Sequence, residues 1–176
     1  MKLPSIMKLS SAVIKCFKIV ALVLGTAFIG IFMTQYTKEL SKDNPQPDPY
    51  DTGELGRYEF YLCTAVFGLL MEFSDLMFSA RDLKKKYGAV SMAIVQILLA
   101  FQLMISTGLL AETLTAYQKE ISSGKSHCEH WNELSNRRGE YTCTQLNIGV
   151  VCGFIAMAMF AVDSIFSMRF FFKPDA

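Results

Sequence analysis

The sequence predicts an all-α integral membrane protein, a single four-helix bundle with cytoplasmic N- and C-termini. Three observations predict it. Of the 176 residues 52% are apolar, and they fall in blocks at residues 19–36, 58–80, 88–117 and 147–168. Each block approaches or exceeds the roughly 20 residues a helix needs to cross a hydrocarbon core. Basic residues collect at alternate ends of the blocks. Lys2, Lys8, Lys15 and Lys18 precede the first, Arg81, Lys84, Lys85 and Lys86 fill the turn after the second, and Arg169 and Lys173 follow the fourth. The connections at 37–57 and 118–146 mix acids and bases, so the positive-inside rule makes them the outer loops. An even number of spans puts both termini on one side, in agreement with the charges. The net charge of +1 carries no message without this distribution. Too little chain lies outside the blocks for a soluble catalytic domain, and no nucleic-acid partner or cofactor is expected.

Residues 1–18 read as a basic lead-in. Ile6, Leu9, Val13 and Phe17 recur near helical spacing, which predicts an interfacial helix on anionic inner-leaflet lipid. Lys15 and Lys18 are expected to snorkel and extend the first span. A charged start followed by an apolar run also describes a signal peptide. Here the charged region is long and no small-residue cleavage site follows, so the block is expected to be a retained span. Cys16, juxtamembrane and flanked by lysines, is a candidate for palmitoylation, with an unmodified thiol as the plainer alternative. The first outer loop contains Asn44-Pro45-Gln46-Pro47-Asp48-Pro49-Tyr50, which forbids a helix and favours a stiff, extended linker or contact arm.

The second block carries Glu72 and Asp75, three residues apart and therefore on one helix face, with Thr64, Gly68 and Ser79 along it. An acid facing lipid would cost several kcal/mol, so this face must look into the bundle. Gln96, Gln102 and Ser106 of the third block are candidate partners. Glu72, placed near mid-membrane, is expected to have no deep counter-charge. It then serves as a polar glue between helices or as part of a proton or cation path. Transporters interrupt their helices with Gly or Pro at the binding site. These blocks contain no proline, which favours the glue. Glu112 should reach the outer interface. Asp163 is expected to pair with Arg169 or with the basic turn.

Small residues at spacing four mark close helix contacts: Gly149 and Gly153 in the last block, and Ala21 with Gly25 and Thr26 with Gly30 in the first. The contacts they make are either within the chain or between copies in a homo-oligomer. In the second outer loop Cys128 and Cys143 lie on the oxidising side. A disulfide there is worth about 3 kcal/mol in the chain-entropy model. Cys63 is an alternative partner, and Cys152 reads as a packing residue. His127-Cys128-Glu129-His130 has the look of a metal cluster, but a disulfide-bonded Cys128 offers no thiolate, so no metal is expected. Gly124-Lys125-Ser126 lacks the upstream glycine and strand of a phosphate loop.

Four spans, a short inner turn, the cysteine pair in the second outer loop and the run from Phe160 through Asp163 to Arg169 resemble the MARVEL superfamily. That group holds the myelin-and-lymphocyte, chemokine-like-factor and physin types. The resemblance implies roles in membrane apposition, vesicle trafficking and lateral organisation of cholesterol-rich membrane. The implied partners are membrane lipids, including cholesterol or anionic lipid, and other membrane proteins. The implied location is the plasma membrane or secretory and vesicle membranes. Claudins, tetraspanins and connexins place their cysteines differently. Casparian-strip proteins share the layout but carry a basic residue in span one that this chain is expected to lack. The expected function is a non-enzymatic membrane scaffold, acting in membrane organisation, vesicle traffic or cell–cell contact. The alternative is a small channel, transporter or auxiliary subunit using the polar face of span two. An enzyme is not expected, because the spans hold no nucleophile–base pair.

Overall fold

A computed structural model describes residues 3–40, 54–79, 86–119, 126, 128–129 and 142–171. Four helices account for nearly all of them: α1 (Leu3–Leu40), α2 (Glu54–Ser79), α3 (Lys86–Gln118) and α4 (Cys143–Phe171). Each packs on its neighbours in chain order and α4 closes back on α1. The backbones of the diagonal pairs α1–α3 and α2–α4 stay apart, although the Tyr61 side chain of α2 reaches α4. Lys15–Asp75 with Lys18–Glu72, Arg57–Thr113 with Thr64–Gln102, Gln96–Asp163 with Thr107–Gly153, and Lys18–Asp163 with Ile29–Gly149 show that every neighbouring pair runs antiparallel. The result is an up-down-up-down ring.

Three of the helices, over Val13–Thr37, Val90–Gln118 and Cys143–Met168, are long and apolar enough to cross a membrane. Helix α2 falls short of that measure, since Arg57, Glu59, Glu72 and Asp75 interrupt its apolar sequence. The helices overrun the apolar blocks. In particular, α1 runs from Leu3 straight through Lys18. Residues 5–24 contain no Gly or Pro to stop it, and Pro4 sits in the first turn, where a missing N–H costs nothing. The lead-in and the first span are therefore one helix of about 57 Å. Helix α4 starts at Cys143, with Gln145 N bonded to Thr142 O at 3.0 Å.

The interior is filled by Leu22, Ile29 and Phe32 of α1, Tyr58 and Tyr61 of α2, Leu99, Leu103 and Leu110 of α3, and Leu146 and Phe160 of α4. Outward, all four helices present large apolar side chains, among them Phe17, Leu24, Phe67, Leu70, Phe73, Leu98, Phe101, Phe154 and Ile165. A water-soluble monomer does not display a surface of this kind.

Glycine allows the closest approaches. A Cβ on Gly149 would fall on the Ile29 side chain of α1. A Cβ on Gly153 would lie 2.5 Å from Thr107 Oγ1 of α3 and 3.0 Å from the Tyr61 ring of α2. Gly25 faces the Tyr61 hydroxyl, which donates to Gly149 O at 3.3 Å. The Gly149/Gly153 face is thus consumed inside the bundle. Gly30 differs: nothing lies within 4 Å of the position its Cβ would take.

Cys128 and Cys143 form a disulfide, with Cα atoms 5.3 Å apart, that ties the connection between α3 and α4 to the start of α4. Beside it Ser126 and Glu129 cap each other. Ser126 N donates to Glu129 Oε2, and Glu129 N donates to Ser126 Oγ, both at 3.2 Å. This is the reciprocal arrangement of an S-x-x-E capping box.

Replacing Gly149 or Gly153 by Ala should lower the unfolding free energy in detergent by about 1–3 kcal/mol through overpacking. Gly108→Ala, where the added methyl meets nothing within 4 Å, should be neutral or stabilise by up to about 1 kcal/mol through helix propensity. Equal effects at all three positions would refute this packing assignment.

Candidate functional site

Among the described residues polar side chains of different helices meet at four levels, and the most buried is an ion cluster. Lys18 of α1 is fully buried. Its ammonium donates to Glu72 Oε1 of α2 and to Asp163 Oδ2 of α4, each at 2.5 Å. Gln96 Nε2 of α3 donates to the same Asp163 oxygen at 3.0 Å. Every helix of the bundle therefore contributes one side chain. Lys18 Nζ also lies 4.6 Å from the centre of the Phe160 ring, a cation–π contact that helps to solvate the charge.

This arrangement corrects two expectations. Lys18 does not snorkel to the interface, and Glu72 does have a deep counter-charge. The reason is that α1 continues unbroken through residue 18. Its buried face, Lys18, Ala21, Leu22, Gly25, Ile29 and Phe32, advances in steps of three and four, so Lys18 stands in the same stripe as the core. Asp163 pairs with Lys18, while the side chains of Arg169 and the basic turn lie outside the described residues.

About one turn away, Lys15 pairs with Asp75; both side chains are about one-fifth exposed. The i, i+3 spacing of Glu72 and Asp75 is matched by the i, i+3 spacing of Lys15 and Lys18 on the antiparallel neighbour. Two acids on α2 thus meet two bases on α1 in register.

Nearer the other end of the bundle, Arg57 Nη1 of α2 donates to Thr113 Oγ1 of α3 at 3.1 Å and lies 3.5 Å from Glu112 Oε2. Glu112 is well exposed there. Between the two ends Gln102 Nε2 donates to Thr64 Oγ1 at 3.3 Å, so α2 and α3 are also joined at mid-height. Ser106 returns its hydroxyl to Leu103 O in its own helix.

Cys16 and Cys63 are exposed thiols and Cys152 is buried against Gly25. His127, His130, Trp131, the proline-rich segment and the basic turn at 81–85 lie outside the described residues, as does the side chain of Ser79.

The chemistry open to the deep cluster is electrostatic. Removing one member of a buried ion pair leaves an uncompensated charge, at a cost of about 3–5 kcal/mol. Lys18→Met should lower stability in detergent by that amount. Lys18→Met combined with Glu72→Gln and Asp163→Asn should recover most of it, since neutral groups of the same shape replace the charges. Lys15→Met, at the partly exposed pair, should cost about 1 kcal/mol or less. Chemical unfolding followed by circular dichroism measures all three, and a Lys18→Met protein as stable as its parent would refute the burial of this charge.

No family model, no curated protein and no solved structure matches this chain.

Proposed function

We propose that the chain is a non-enzymatic four-span membrane scaffold, similar in plan to the MARVEL proteins. In this reading α2 is the fourth span and both termini are cytoplasmic. The observation that carries it is the deep ion cluster. Lys18, Glu72, Asp163 and Gln96 bind one another across all four helices, so the intramembrane charge is spent on holding the bundle shut. The helices are unbroken, and the Gly149/Gly153 face is filled from within.

Two features support α2 as a span. Its acids face Lys15 and Lys18, so its polar residues are matched inside the bundle. Its outer face bears Phe60, Val66, Phe67, Leu70, Phe73 and Leu76, as lipid requires. From Arg57 to Asp75 the helix rises about 27 Å, close to the thickness of a hydrocarbon core at roughly 30 Å. The ion pairs at these two levels then mark the two interfaces, with Glu72 one turn inside the cytoplasmic one.

With its charges and glycines engaged internally, the protein works through its outside: an apolar belt toward lipid and neighbouring membrane proteins, and loops toward a facing surface. Membrane organisation, vesicle traffic and cell–cell contact in plasma or secretory membranes all use such a surface. The competing reading is a small channel or transporter built on the polar face of α2.

Ion flux through proteoliposomes separates the two readings. The scaffold reading expects flux no greater than in empty vesicles, for the parent protein and for Glu72→Gln alike. Flux that the parent sustains and that Glu72→Gln abolishes, with the fold intact, would overturn it.

A further inference from the structure

The hydrogen bonds of the deep cluster form one open chain across the four helices. Glu72 Oε1 and Asp163 Oδ2 both accept from Lys18 Nζ, and the same Asp163 oxygen accepts from Gln96 Nε2. The chain has two open ends, Glu72 Oε2 on α2 and Gln96 Oε1 on α3. Both atoms are buried and have no hydrogen-bond donor, and the residues that carry them are 2% and 5% exposed. A buried acceptor left without a donor is expensive.

The register of α2 on α3 brings the two ends to one level. Thr64 is bonded to Gln102. Glu72 stands eight residues further along α2 and Gln96 six residues back along α3. On antiparallel helices the two are then level to within about 3 Å. Neither end supplies the missing donor while Glu72 is ionised, because a carboxylate only accepts. The Gln96 amide is fixed in sense by the bond from its Nε2 to Asp163. Turned over, it would set its oxygen against the Asp163 carboxylate. Among the described residues the charged groups around this point are Lys18, Asp163 and, about one turn away, Lys15 with Asp75. Lys15 and Asp75 match each other, which leaves Lys18 between two carboxyl groups.

We propose that Glu72 is a carboxylic acid in the closed bundle and that its Oε2–H donates to Gln96 Oε1. One hydrogen then satisfies both open ends. It closes the chain into a ring that passes through every helix, and it leaves Lys18 and Asp163 as a one-to-one ion pair. A water molecule donating to both oxygens would also satisfy the ends, but it would leave one ammonium facing two carboxylates. The bundle thus takes up a proton as it closes. Above the range in which an unfolded glutamate ionises, the folded chain holds one proton that the unfolded chain releases, so stability falls as pH rises.

The experiment uses the full chain purified in a detergent without ester groups. Near neutral pH its infrared spectrum should show a carboxylic-acid carbonyl band that Glu72→Gln removes. Gln96→Leu keeps every ionisable group and removes the acceptor, so it should move that band to higher frequency. This second variant decides the case should Glu72→Gln not fold. The unfolding constant, followed from mildly acid to mildly alkaline pH, should rise more steeply in the parent than in Glu72→Gln, by up to about tenfold per pH unit, as release of one proton requires. The absence of an acid band would overturn the proposal and is the outcome a bridging water predicts. A band unchanged by Glu72→Gln, a band indifferent to Gln96→Leu, or equal pH slopes in the parent and Glu72→Gln would overturn it too. The scaffold reading stands or falls separately: ion flux overturns that reading and leaves the Glu72 hydrogen in place.

Discussion

An ammonium buried between two carboxyl groups is the constraint on which the rest of this bundle depends. In a medium of low dielectric constant, none of Lys18, Glu72 and Asp163 tolerates separation from the others. They belong to α1, α2 and α4, and Gln96 brings in α3. Their register fixes how far each helix slides along its neighbour. Once Lys18 is level with Glu72, Lys15 is level with Asp75. Once Asp163 is level with Lys18, Gly149 is level with Ile29. The glycine contacts and the second ion pair thus follow from the same alignment.

The two halves of the ring are held by different forces. The α4 contacts with α1 and α3 are the more extensive and rely on small residues: Gly149 on Ile29, Gly153 on Thr107. Helix α2 touches its neighbours less and is retained by polar links along its length: Arg57 to Thr113, Thr64 to Gln102, Tyr61 to Gly149, Glu72 to Lys18 and Asp75 to Lys15. Apolar contact gives little net attraction between helices in lipid, so close packing and hydrogen bonds hold them together. The bundle uses the first for α4 and the second for α2. That division explains why α2 is the least apolar helix: the groups that lower its hydropathy are the ones that bind it.

Much of this was legible in the chain. Helix length and apolar blocks predicted four helices. The i, i+3 acids predicted which face of α2 turns inward, and Thr64, Gly68 and Glu72 are all buried there. Cys128 and Cys143 were paired by compartment and loop length, and they bond. Other features were hidden by how the chain was divided. Lys18 was counted with the basic lead-in, because it abuts the apolar block and lysines there usually snorkel. Its position four residues before Leu22 and seven before Gly25, on the core stripe, was the signal that could have found it. For Asp163 the sequence offered the basic turn or Arg169, and the partner that the described residues show is Lys18, 145 residues away. The capping box, Ser126 with Glu129 three residues on, was also present in the letters.

The sequence by itself determined the apolar blocks, the four long helices among the described residues and the chemistry available inside. Those are properties of composition and period, which act locally. Only the tertiary structure decided that Lys18 faces inward, that its two acids share it, and that the Gly149/Gly153 face is used within the chain. These depend on rotation and register between helices distant in sequence. Such relations are set by the joint cost of leaving any buried charge or acceptor unpaired, which no single segment expresses.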